Sequence, residues 1–337
     1  MFYNEQVKII HTNFNRANLT ESTHSIKLLI KNLNGKTLLS TGNDNEFIYP
    51  RSSIKIFQAI PFVKSGAIKK YKLTSKIIAL SCSSHRGETY HLKELEKWTK
   101  KINFNKKKLK CGSHYPLNQK AMERMMRLNK NKHELHNNCA GKHLAMVSSC
   151  LMNNYDTKNY LSFSHPHQET IRKTFEKFIG NKIKKNQYGI DGCSAPQYCF
   201  KIEDISKLLI NLIKSYNNNF EYSYETKLLI DSITNNPNYI GGSDSLDSRI
   251  MKITKKNIFC KGGAEGVFLF IDLQKNISGV LKVVDGNERA IPQIIHKLFQ
   301  KFKIMNKSEL RKFEKMYKFE LFNHAKILVG STKAIIQ

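Results

Sequence analysis

Val267-Phe268-Leu269-Phe270-Ile271-Asp272-Leu273, the joint Gln274-Lys275-Asn276, and Ile277-Ser278-Gly279-Val280-Leu281-Lys282-Val283-Val284 decide the fold. Two apolar runs, rich in β-branched and aromatic residues, flank a short polar connection and read as paired strands. Just upstream, Ile258-Phe259-Cys260 is a third apolar run that ends at Lys261. Near the other end of the chain, Ile26–Ile30 and Thr37–Leu39 read as strands, with Asn34-Gly35 as the hairpin turn between them. The middle has a different period. Ile171, Phe175, Phe178 and Ile179 share one helical face, as do Ile205, Leu208, Leu209, Leu212 and Ile213. Helices are also expected over Leu92–Ile102 and Gln119–Leu128, and along Ile291, Ile294, Ile295, Leu298 and Phe302. Strands therefore open and close the chain, and helices fill it. The expectation is an α/β (α+β) fold, an antiparallel sheet built from both chain ends with a helical middle. It is read as one domain over residues 1–337, with the sheet from about 5–60 and 255–335 and the helical part about 61–254.

Composition narrows the class of protein. Of 337 residues, 40% are hydrophobic and 25% charged, which is enough for a sizeable core. Lys and Arg number 56 against 27 Asp and Glu, a formal net charge of +29. Such a charge points to nucleic acid when it is gathered into a stripe. Here it is mostly Lys, scattered in short clusters such as Lys106-Lys107-Lys108 and Lys184-Lys185, so a solvated basic surface is expected and no specific nucleic-acid partner. Seven cysteines at irregular spacing argue against a disulfide framework and for a cytoplasmic, reducing compartment. Met1–Lys8 lacks the apolar core of a signal peptide, and no apolar run approaches membrane-spanning length.

Five stretches carry side chains that do chemistry. In Arg51-Ser52-Ser53-Ile54-Lys55, Ser52 and Lys55 stand three apart, on one face of a helix starting near Ser52, which is placed to cap that helix or to sit on its first turn. A serine hydroxyl needs a base to take its proton, and a lysine serves if burial or a neighbouring cation disfavours its charge. Alone, the motif is equally a capping serine with a solvated lysine. Ser81-Cys82-Ser83-Ser84-His85-Arg86-Gly87-Glu88 is either a polar pocket wall or a polar loop. Asn137-Asn138-Cys139-Ala140-Gly141-Lys142-His143 and Gly189-Ile190-Asp191-Gly192-Cys193-Ser194-Ala195-Pro196 each set a thiol in a turn. Cys139, Cys193 and Asp191 are donors suited to zinc, but their spacing matches no common zinc motif, and two buried thiols are the plain alternative. In Lys261-Gly262-Gly263-Ala264-Glu265-Gly266, a lysine at a strand end precedes glycines that let a backbone approach closely.

Taken in order, the five stretches resemble those of the class 3 (rhizobial-type) L-asparaginases, the asparaginase II family. The family's runs look like Arg-Ser-x-x-Lys, Ser-His-x-Gly-Glu, Cys-Ser-Gly-Lys-His, Gly-x-Asp-Gly-Cys-x-x-Pro and Lys-x-Gly-Ala-Glu-Gly-Val. The likeness runs from Glu21-Ser22-Thr23-His24 to about Gly330. It implies a fold like the serine β-lactamases and penicillin-binding proteins, hydrolysis of L-asparagine to L-aspartate and ammonia, and a homodimer. It implies two Ser–Lys pairs, Ser52 with Lys55 and Ser84 with Lys261. It implies a zinc site at Cys139, Lys142 and Cys193 with Asp191 at or beside it. Arg51, His85, Glu88 and His143 are the candidate substrate-binding residues. The alternatives are a β-lactamase- or glutaminase-like serine acyl hydrolase, and a family member without activity. Three positions depart from the pattern: Ala140 for Ser, Gly262 where Thr is common, and Ser245 where an Arg is expected.

Overall fold

The computed structural model describes residues 5–6 and 9–337, so most of the Met1–Lys8 stretch, read above for a leader, lies outside the described residues. The chain divides into two compact units. The first comprises Met1–Ser53, Phe200–Ile213 and Ile250–Gln337, and the second Ile54–Cys199 and Lys214–Arg249.

The first unit is built on an antiparallel sheet with contributions from both chain ends. Its strands, numbered along the chain, are β1 (Glu5–Gln6), β2 (Ile10–Arg16), β3 (Leu19–Asn32), β4 (Thr37–Ser40), β9 (Ile258–Gly263), β10 (Val267–Asp272), β11 (Ile277–Val283), β12 (Glu320–Phe322) and β13 (Leu328–Ile336). They run in the order β12-β13-β2-β3-β11-β10-β9. β4 pairs with β3, and β1 pairs with β4 in parallel. The β10–β11 hairpin has the expected composition for a central position: every residue of β10 is buried, so its apolar run faces no solvent. Phe270 lies opposite Gly279, where an added Cβ would stand 2.1 Å from the ring. The glycine is the socket for that ring. Gly35 has φ +78° in the β3–β4 connection, as the Asn34-Gly35 signal predicts. Helix α11 (Ile291–Lys301) turns Ile291, Ile294, Ile295 and Leu298 inward, and lies against β13 and β2. Thr12 Oγ1 donates to Ala290 O at 3.0 Å, and Gln293 Nε2 to Thr332 Oγ1 at 3.0 Å, which fixes the helix along the sheet. Helix α12 (Lys307–Met316) follows behind a reciprocal Asn306/Glu309 cap. A short ladder between β5 (Phe47–Ile48) and β8 (Phe200–Lys201) brings the chain to the 3-10 turn Arg51–Ile54.

The second unit is mainly helical. Its helices are α1 (Lys55–Lys64), α2 (Ala67–Lys70), α3 (Ser75–Leu80), α4 (Thr89–Lys101), α5 (Gln119–Arg127), α6 (Ala140–Met152), α7 (Pro166–Ile179) and α9 (Ser223–Asn235). The chain crosses between units within α8 (Ile202–Tyr216) and α10 (Leu246–Ile253). Strands β6 (Tyr188–Ile190) and β7 (Pro196–Tyr198) form a separate hairpin. Helix α1 is central: Lys55 through Val63 are all buried, and it packs against α6, α7 and α9. Phe57 meets Phe178 edge-on with centroids 5.0 Å apart. A helix buried on every side must satisfy any polar group it carries, and Lys55 is the one at its start.

Candidate active site

Ser52 sits on the 3-10 turn, not at the capping position of α1, which Ile54 occupies without a side-chain bond. Its neighbour holds the turn: Ser53 Oγ donates to Pro50 O at 2.6 Å. Arg51 has φ +53°, a left-handed conformation uncommon for a residue other than glycine. Strand β9 approaches closely. A Cβ on Gly263 would stand 2.5 Å from Pro50 O and 3.2 Å from Ser53 N, so only glycine admits the contact. Two residues earlier on β9, Lys261 is 3% exposed, and its Nζ donates to Gly262 O at 2.8 Å. A Cβ on Gly262 would meet only Phe268 Cδ2, at 3.9 Å, so the missing hydroxyl is no demand of packing.

Lys55, 1% exposed, places its Nζ 2.5 Å from Ser83 O, 3.0 Å from Ser84 Oγ and 3.2 Å from Cys139 Sγ. The buried Lys55 Nζ thus reaches a carbonyl, a hydroxyl and a thiol, and the lysine of one motif touches the serine of the next. The packing is exact at Gly141, on the first turn of α6. An added Cβ would lie 2.0 Å from Leu80 O and 3.2 Å from Ser83 Oγ. Gly141→Ala must separate α6 from the end of α3, and with it Cys139 from Lys55. The expected cost is about 1–3 kcal/mol of stability, read in a urea titration, together with a fall in activity.

Cys139, Asp191 and Cys193 bring their donor atoms within 4.8 Å of one another. Lys142 Nζ donates to Cys193 Sγ at 3.0 Å and lies 4.0 Å from Asp191 Oδ2. The hydrogen bond from Cys139 and the charge of Lys142 outweigh burial and lower Cys193 to about 5. The same hydrogen bond and burial push Cys139 up to about 12. Cys193 Sγ is also 3.5 Å from Asp191 Oδ2, a contact suited to a protonated thiol. The nearer ammonium decides for a thiolate at Cys193. Burial works against the charge on Lys142, but both cysteines and Asp191 overcome it and raise its pKa.

Two histidines of the set are buried and neutral. His85 Nδ1 accepts from Gly87 N at 3.2 Å, which leaves the proton on Nε2. Burial first, then neighbouring His91 and Lys55, hold its pKa well below the usual imidazole range. Tyr160 OH accepts from Lys110 N at 2.9 Å and lies 2.7 Å from His143 Nδ1. Burial lowers His143 to about 3. Neither Nε2 has a hydrogen-bond partner among the described residues. Glu88 is engaged by Ser243 and Tyr90. Ser245, at the departure from Arg, donates to Ser248 Oγ at 2.7 Å and fits under Gly241, where a Cβ would lie 2.2 Å from its Oγ. Tyr90, Tyr160 and Ser243 were not singled out in the sequence, because their partners lie on other segments.

The model of the family described as L-asparaginase II matches residues 12–334. No curated protein matches the chain. Among solved structures, a provisionally assigned beta-lactamase from Bacteroides dorei DSM 17855 aligns with 82% of this chain and 85% of its own, with 10% identity and a TM-score of 0.36. The sequence match spans nearly the whole chain and includes all five motif stretches, and on that ground the chain belongs to the L-asparaginase II family.

Proposed function

We propose that the protein hydrolyses L-asparagine to L-aspartate and ammonia through a serine nucleophile. Its family makes it an amide-cleaving hydrolase. The observation that carries the finer reading is the contact of the buried Lys55 Nζ with Ser84 Oγ at 3.0 Å, which supports serine–lysine chemistry. Ser52 Oγ attacks the side-chain amide carbon as its proton passes to Lys55. The C–N bond breaks, the nitrogen takes up a proton, and ammonia leaves. Water then attacks the acyl-enzyme, which releases aspartate and restores the hydroxyl of Ser52. Ser84 and Lys261 relay protons and steady the oxyanion. The planar fork of Arg51 matches the substrate carboxylate, His85 offers an Nε2–H donor, and His143 offers its open Nε2. The same contact favours a second reading, with Ser84 as nucleophile and Lys55 as its base. Mass spectrometry of a trapped acyl-enzyme, located on the peptide with Ser52 or with Ser84, separates the two.

The first experiment offers asparagine, glutamine and a β-lactam side by side to purified protein. Ammonia from asparagine in clear preference supports the proposal. Preference for either other substrate overturns it in favour of a broader acyl hydrolase, and no turnover leaves an inactive family member. Light scattering tests the homodimer we also propose. A cytoplasmic setting is proposed from the cysteine pattern, and among the described residues no helix is long and apolar enough to cross a membrane.

Cys139, Asp191 and Cys193, with Lys142, fit a borderline-soft metal such as zinc, since they combine thiol and carboxylate donors at close range. When bound, zinc supplies a positive site for the polar head of the substrate. Lys142 binds metal only as the free amine, so loading releases a proton and strengthens as pH rises. Cys139, whose pKa is pushed up to about 12, must likewise lose its proton to bind metal, so loading is expected to weaken as pH falls. Elemental analysis is expected to find about one zinc per chain. Cys193→Ser is expected to lower that content and to weaken substrate binding more than turnover. Metal-free protein together with a Cys193→Ser variant that behaves as wild type would leave two ordinary buried thiols.

A further inference from the structure

Glu88 closes the stretch that carries Ser84 and occupies the cap position of α4, yet its side chain makes no cap bond to that helix. It reaches a segment far along the chain. Glu88 Oε2 accepts from Ser243 N at 3.0 Å and from Tyr90 OH at 2.6 Å, and Oε1 accepts from Ser243 Oγ at 2.6 Å. Burial alone would raise this carboxyl. The bonds from Ser243 and Tyr90 outweigh it and hold the group below the ordinary range. A carboxylate has about four acceptor positions, so three strong donors leave little capacity for a ligand. His91 Nδ1 lies 4.0 Å from Oε2.

The gripped segment is shaped for this contact. Gly242 has φ +129°, and a Cβ there would lie 2.9 Å from Glu88 Oε2 and 3.1 Å from Arg86 Cγ. The two segments are joined at further points. Ser84 N donates to Ile240 O at 2.8 Å. Arg86 Nη1 lies 3.4 Å from Asp244 Oδ1. Asn118 Nδ2 donates to Asp244 Oδ2 at 3.4 Å, and its own N donates to Arg86 O at 2.9 Å. Residues 84–88 and 240–244 thus run side by side, pinned by the Ser84 amide at one end and by the Glu88 carboxylate at the other.

We infer that Glu88 is a positioning residue for Ser84 and not a substrate ligand: it clamps the 240–244 segment so that Ser84 Oγ stays at its 3.0 Å contact with Lys55. The inference rests on the proposed part of Ser84 in asparagine hydrolysis. In Glu88→Gln one oxygen becomes an NH2 that faces a donor. That variant is expected to lose about 10- to 100-fold in kcat, with KM within about threefold of wild type. Ser243→Thr keeps both donors and is expected to stay near wild type. Ser243→Ala keeps only the amide and should fall between. The double variant Glu88→Gln/Ser243→Ala should be no worse than Glu88→Gln, because both changes break one contact.

Hydrogen exchange read at the Ser84 amide should quicken in Glu88→Gln, a measurement that needs no substrate. A substrate ligand behaves otherwise: KM rises in Glu88→Gln with kcat held, Ser243→Ala is silent, and the Ser84 amide is unchanged. That result overturns the inference. If Glu88→Gln does not fold, Tyr90→Phe and Ser243→Ala each remove a single bond and make the same kcat-against-KM comparison. If the wild type releases no ammonia from asparagine, the hydrolase reading fails, and the exchange rate of the Ser84 amide still decides for or against the clamp.

Discussion

Ser52→Ala is expected to cut ammonia release from asparagine by about a thousandfold or more while leaving the fold as it is. The turn does not depend on the Ser52 hydroxyl. Ser53 supplies the side-chain bond to Pro50 O at 2.6 Å, and Ser53 N donates to the same oxygen at 3.2 Å. Gly263 closes on that turn, with Pro50 O, Ser53 N and Arg51 Cβ the three atoms nearest to its missing Cβ. Removing one partly exposed hydroxyl from such a position leaves no buried partner unsatisfied, so the thermal midpoint should shift little. Loss of chemistry without loss of stability would place the Ser52 hydroxyl in the reaction, and an acyl adduct on Ser52 would make it the nucleophile. Near wild-type turnover in a clean preparation would remove Ser52 from that role, and an acyl adduct on Ser84 would then name its replacement.

Lys55→Met is expected to be as severe for turnover, about a thousandfold, and to change the pH profile as well. Methionine fills a similar volume, so α1 keeps its packing against α6, α7 and α9. What disappears is the donor to Ser83 O, Ser84 Oγ and Cys139 Sγ. One buried carbonyl left short of a partner costs about 1–3 kcal/mol, an amount a urea titration resolves. A lysine base works only after it gives up its proton, and an ordinary lysine does so near about 10.4. Burial and nearby cations lower that figure, so wild-type kcat/KM should climb from neutral pH through one basic ionisation to an optimum of roughly 8 to 9.5. The ionisation should vanish or move in Lys55→Met. A wild-type profile flat from about pH 5.5 upward would count against lysine as the base.

The central fold was readable because its strands are apolar in unbroken runs. β10 and β11 announce themselves, and the Asn34-Gly35 turn sets the β3–β4 hairpin. β2 and β13 were missed for a physical reason. β2 buries Ile10, Thr12 and Phe14 but shows His11, Asn13 and Asn15 outward, and β13 buries only Thr332 and Ala334. Each is held between two partners, β2 between β3 and β13, and β13 between β12 and β2, and the β2–β13 ladder joins the two ends of the chain. The donor-rich turns around the two thiols suggested Cys139, Asp191 and Cys193 as a group, although their spacing matches no common zinc motif. Spacing gave no hint that Lys55 touches Ser84 and Cys139, 29 and 84 positions away. Motifs show which side chains are available, whereas tertiary packing determines which of them meet.

Arg51 illustrates a tension between endurance and activity. Its φ of +53° is a conformation that glycine or asparagine adopts more readily, at a difference of about 1 kcal/mol. Selection for heat tolerance alone would therefore drift toward glycine at this position and relax the turn before Ser52. The same drift would erase the guanidinium proposed to hold the substrate carboxylate. A stabilised variant from a thermal screen that carries Arg51→Gly should accordingly be judged at low asparagine concentration, where weakened capture shows, before it is counted an improvement.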